Sequence, residues 1–118
     1  MSDRRLVKVP LYEIYSGKEL EIAQKIQQRR LQILVHSHIY YVLDTNIVSD
    51  HTWMKWANEL VELQKTYPGI AKTVIWNEAF EDFDGSTGCD LPLHNPWVVA
   101  RANWLLEDHD KYGNGIYD

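Results

Sequence analysis

The sequence predicts a mainly α-helical fold: a helical hairpin, a third helix, and between them a long structured loop with room for one short strand. Three observations carry this expectation. Ser16, followed three residues later by Glu19, opens an apolar stripe at helical spacing in the pattern of a capping box. Trp53, Trp56, Ala57, Leu60, Leu63, Gln64 and Tyr67 keep the i, i+3, i+4, i+7 template of an amphipathic helix. Asn95-Pro96 offers an N-cap residue and a proline at the first helical position ahead of Trp97.

In chain order, residues 6–15 are apolar but broken by Pro10, and read as an extended arm or a short edge strand. From about Lys18 to about Leu43, Leu20, Ile22, Ala23, Ile26, Ile33, Leu34 and Tyr41 form the apolar stripe of one long helix, with Gln24 to Arg30 as its polar face. Asp44-Thr45-Asn46 is a turn, after which Ser49 or Asp50 caps the second helix. Pro68-Gly69 stops that helix. Residues 70–76 fit a short strand, and residues 77–95, with Gly85, Gly88 and Pro92, a structured loop. The third helix runs from Trp97 to about Asp108 with Val98, Val99, Ala102, Leu105 and Leu106 inward, and residues 109–118 form a loose tail.

With 118 residues, 45% of them apolar, the chain has material for one core, and a single domain over residues 1–118 is expected. Its expected parts are an arm at 1–17, a hairpin at 18–68, an acidic loop with the third helix at 69–108, and the tail. The net charge of −5 argues against a general grip on nucleic acid. That charge is uneven: residues 1–36 hold seven basic and four acidic groups, whereas residues 77–118 hold two and nine. A lone cysteine, Cys89, forms no internal disulfide, and with no signal-like or membrane-spanning run the expected setting is a cytoplasmic, reducing one without a membrane partner.

The stretch His38-Ile39-Tyr40-Tyr41-Val42-Leu43-Asp44, then Ile47-Val48-Ser49-Asp50, then Glu59-Leu60 through Leu63 and Tyr67-Pro68 resembles the small N-terminal helical domain of bacterial NAD-dependent DNA ligases. It covers roughly residues 28–68. The loop Phe83-Asp84-Gly85-Ser86-Thr87-Gly88, with Leu91-Pro92-Leu93 and Pro96-Trp97-Val98-Val99-Ala100, looks like stand-alone ligase-related proteins of phages and prophages. The first resemblance implies a site for the nicotinamide mononucleotide (NMN) half of NAD: Tyr40 as stacking tyrosine, Tyr41 beside it, and Asp50 as the first aspartate. Trp53 stands where the ligases have tyrosine, and Met54 where they have a second aspartate. Tryptophan can still stack, but methionine cannot pair with a cationic ring or accept from a ribose hydroxyl. The resemblance also implies that adenylation needs a Lys-x-Asp-Gly lysine in a further domain. The nearest match is Asp82-Phe83-Asp84-Gly85, so this chain is expected not to be an enzyme by itself.

Other clusters read blandly. His36 and His38 are two apart and point to different helix faces, so no metal site is expected. Gly85-Ser86-Thr87-Gly88, flanked by Glu81, Asp82, Asp84 and Asp90, reads as a structural turn that would repel a phosphate. The first functional expectation is a non-enzymatic, phage-type accessory protein, acting in the host cytoplasm. It would inhibit a host immunity or DNA-processing protein with a basic surface, through Glu81, Asp82, Phe83, Asp84, Asp90 and Trp97. The alternative is a module that binds NMN, NAD or a related signalling nucleotide at Tyr40, Tyr41, Asp50 and Trp53; neither reading requires a cofactor.

Overall fold

The structure, a computed structural model, describes residues 10–112. Helix α1 is a single turn, Leu11–Ile14, followed by the long α2, Gly17–Tyr41. Helix α3 spans Asp50–Thr66, the short α4 Pro68–Ala71, and α5 Pro96–Tyr112; a turn of 3-10 helix, Glu78–Phe80, interrupts the loop before α5. Among the described residues there is no β-strand.

Helix α2 is the axis of the molecule. It packs against α3 to make the hairpin, and α5 lies against it as well. Every residue from Ile33 to Ile39 is therefore buried, including His36, Ser37 and His38, because α2 is covered on all sides at this level. The two histidines do face different ways: the His36 ring lies 5.3 Å from that of Trp56, while His38 Nδ1 meets the Leu93 carbonyl at 2.6 Å. The main core joins Ile22, Ala23, Ile26, Ile33 and Leu34 of α2 with Trp56, Ala57 and Leu60 of α3, and with Val74, Phe80, Leu91, Leu93 and Val98 from the C-terminal half. A smaller cluster, Val35, Ile39, Ala102 and Leu105, fixes α5 to α2.

The structure corrects several expectations from sequence. Residues 70–76 are not a strand. Pro68 does end α3, at Thr66, and then opens the short α4, after which the chain continues through turns. A lone strand here would have no partner for its backbone groups; instead the Val74 and Ile75 carbonyls accept from Arg30 Nη1 at 2.9 and 3.0 Å. Arg30, placed on the polar face of its helix, is thus one of the most buried side chains in the protein. Its Nε also donates to Gln64 Oε1 at 2.8 Å, and its guanidinium lies over the Phe80 ring. Burial lowers its pKa to about 10, which leaves it charged at neutral pH.

The capping box at Ser16 does not form. Ser16 is the N-cap of α2, but its side chain makes no capping bond. Gly17 enters the helix at φ 59°, a left-handed turn that the capping-box geometry does not accommodate. The arm holds one helical turn at Leu11–Ile14 where extended chain was expected, its residues 1–9 lying outside the described region. Helix α5 runs to Tyr112, so the first part of the expected tail is helical, and residues 113–118 lie outside the described region.

Candidate functional site

The C-terminal end of α2 projects Tyr40 and Tyr41 into solvent, 50% and 44% exposed, with rings edge to face at 4.9 Å. Asp44 takes φ 56° and reverses the chain, a backbone state that Asp adopts more readily than most residues. The returning segment is pinned by Val48, which is buried in the core, and by Ser49, whose Oγ accepts from the Thr52 N–H at 3.0 Å. That cap aims the first turn of α3, with Asp50, Trp53 and Met54, back toward the tyrosines.

A cavity of about 230 Å³ lies between these elements, lined by Tyr40, Tyr41, Asp50 and Trp53, the set expected from the resemblance. Met54, His36, Ser37, Asn46 through Ser49, and Ser86 complete its lining. Trp53 is half-buried and donates its indole N–H to Ser37 Oγ at 3.3 Å. Its hydrogen-bond donor is thus engaged within the fold, and the ring is held as a surface for stacking.

Sequence reasoning missed the part played by the Gly85–Gly88 loop, read as a structural turn. The loop leans on the pocket instead. Thr87 Oγ1 bonds Tyr41 Oη at 2.7 Å, and the Phe83 ring meets Trp53 edge-on at 6.4 Å. Gly88 is buried so close to α2 that a Cβ there would collide with Ser37 Oγ. The available signal was a pair of small hydroxyl residues between two glycines, beside an aromatic residue that needed burial.

The residues expected to meet a partner divide. Asp82, Phe83, Asp84 and Asp90, joined by Glu78, line one groove of about 350 Å³. Glu81 is exposed outside that lining, and Trp97 belongs to a separate groove with Arg101 and Leu105. Within the acidic groove, Asp84 Oδ1 accepts from both the hydroxyl and the N–H of Ser86, at 2.6 and 2.9 Å. These bonds hold its carboxyl below the usual carboxylate range. No cluster of His, Cys, Asp and Glu among the described residues could hold a metal ion.

Comparison with known proteins places this pocket in a recognised segment. Residues 19–73 match the family model described as DNA ligase-like, N-terminal NAD+-binding domain, a little under half of the chain. The DNA ligase of Natranaerobius thermophilus is 44% identical over 48 residues, 41% of this chain and 7% of that protein. The DNA ligase of Pseudothermotoga lettingae is 40% identical over 50 residues, 42% of this chain and 7% of its own length. The chain therefore matches only a small fraction of these relatives. No solved structure matches it. Of the residues lining the cavity, all but Ser86 fall within the matched segment.

Proposed function

We propose, taking the ligase-like character of residues 19–73 as premise, that the protein is a small-molecule-binding module that seats NMN, NAD or a related nucleotide in the pocket between α2 and α3. The observation that carries this reading is the convergence of Tyr40, Tyr41, Asp50 and Trp53 on one cavity. Three aromatic side chains and a single carboxylate suit a flat ring of neutral or positive charge with hydroxyls to donate. The cavity is smaller than the roughly 300 Å³ at the low end of drug-sized sites, so it holds a ring and its sugar and leaves the rest of a dinucleotide outside.

The module acts by binding. The chain contains no Lys-x-Asp-Gly lysine of the kind a nucleotidyl transfer would use as nucleophile. Inhibition of a host protein, the first expectation from sequence, draws no support from the relatives, and the nucleotide module takes its place. Among the described residues no helix is long and apolar enough to cross a membrane.

Titration with NMN and NAD, followed by tryptophan emission, tests the proposal. Binding in the micromolar to millimolar range is expected, weakened about tenfold or more in Tyr40→Ala and Trp53→Ala, the loss of one stacking face. An unchanged spectrum at millimolar ligand, or wild-type affinity in both variants, would remove the reading.

A further inference from the structure

We propose that the loop at residues 84–88 is the discriminating wall of the pocket, and that it selects a nucleoside, a flat neutral or cationic ring with its free sugar, over the same nucleoside bearing phosphate. The inference rests on the nucleotide-type reading of the pocket and adds to it the class of ligand that is preferred.

The wall is built against the site at three points. Gly88 lies against Ser37 with no room for a side chain, Thr87 is bonded to Tyr41, and Phe83 abuts Trp53. Ser37, Tyr41 and Trp53 all line the cavity, so the loop and the pocket share one geometry.

What the wall presents follows from Asp84. Both donors of Ser86, its hydroxyl and its N–H, are directed to the Asp84 carboxylate. Ser86, which lines the cavity, is therefore left with only acceptor capacity, as is the carboxylate of Asp50. Sugar hydroxyls can donate to both. A phosphate dianion has no proton to give them.

Charge acts in the same direction. Among the described residues, Asp50 is the only acidic residue lining the cavity, and no Lys or Arg lines it. One hydroxyl behind Ser86 stands Asp84, and Ser86 is shared with the groove that holds Glu78, Asp82 and Asp90. A phosphate leaving the pocket on the Ser86 side meets four carboxylates with no cation between them among the residues lining the two hollows.

The test titrates the full chain with nicotinamide riboside, NMN and NAD, following tryptophan emission, in wild type and in Asp84→Asn. The asparagine oxygen can still accept from Ser86, so the turn is kept and only the charge is lost. At low ionic strength the riboside is expected to bind about tenfold more tightly than the mononucleotide. That ratio should shrink toward one in Asp84→Asn, and in about 0.5 M salt, where the screening length is only a few ångströms. Mononucleotide binding as tight as that of the riboside in wild type overturns the inference and leaves the pocket reading intact. A riboside preference unchanged in Asp84→Asn removes the loop from it. Failure of all three ligands to bind removes both.

Discussion

Trp53 spends its indole N–H on Ser37, and toward the cavity it offers only ring surface. A tyrosine at this position would carry its polar group at the far tip of the ring; the substitution exchanges reach for area. Asp84 is a second residue whose neighbour defines it. Ser86 binds the deprotonated carboxyl, so the contribution of this turn is complete above the ordinary carboxylate value of 3.8 and is lost as the pH falls through the lower value in the folded protein. The Ser86 amide proton should accordingly titrate in NMR spectra with a midpoint below 3.8, and the step should vanish in Asp84→Asn. A midpoint at or above 3.8 would contradict the bonded turn. At this scale the sequence told much about identity and little about placement. Tyr40, Tyr41, Asp50 and Trp53 could be named from the resemblance to the ligase domain, whereas Arg30 looked like surface because its acceptors, the carbonyls of Val74 and Ile75, lie more than forty positions away.

Helix starts show how local signals compete with chain direction. Ser49 and Ser16 look equally suited to cap, yet only Ser49 accepts from a backbone N–H, that of the third residue of its helix, while Gly17 turns the chain away from that geometry at Ser16. Ser49→Ala is expected to cost about 1 kcal/mol in denaturant unfolding and Ser16→Ala less than about 0.5 kcal/mol. Equal losses would mean that Ser16 does cap in solution. The helices α2, α3 and α5 were legible because their apolar periodicity is long and sustained. The segment from Pro68 to Phe80 was not, since its seven residues 70–76, four of them β-branched, read alike as a buried strand or as turns. Trp76 shows what the turns demand: a bulky residue at φ 70°, held where Phe80 packs beneath the Arg30 guanidinium.

For the whole molecule, the ligase-like segment and the folded unit are not the same length. The match ends at residue 73, but Phe80, Leu91, Leu93 and Val98 belong to the same core as Ile26 and Leu60. Phe80→Ala should therefore destabilise the protein by about 3–5 kcal/mol and shift a single cooperative transition that tryptophan emission and far-UV circular dichroism report together. A separate early transition, with the hairpin left folded, would show instead that the C-terminal half is an appendage. The charge gradient was visible in the sequence, but the fold gives it a place: the acidic segment lends Ser86 to the pocket and lines the neighbouring groove with carboxylates.

Among the described residues, the bonds Arg30 makes are all to uncharged oxygens: two backbone carbonyls and the side-chain amides of Gln64 and Asn77. Such bonds, sheltered from solvent and made to neutral acceptors, are nearly indifferent to dissolved electrolyte, and the exposed acids around Ser86 are not. Ionic strength therefore separates the two halves of the design. Potassium chloride can be raised to mute the electrostatics of the binding surface while the central fastening of the hairpin stays as it was.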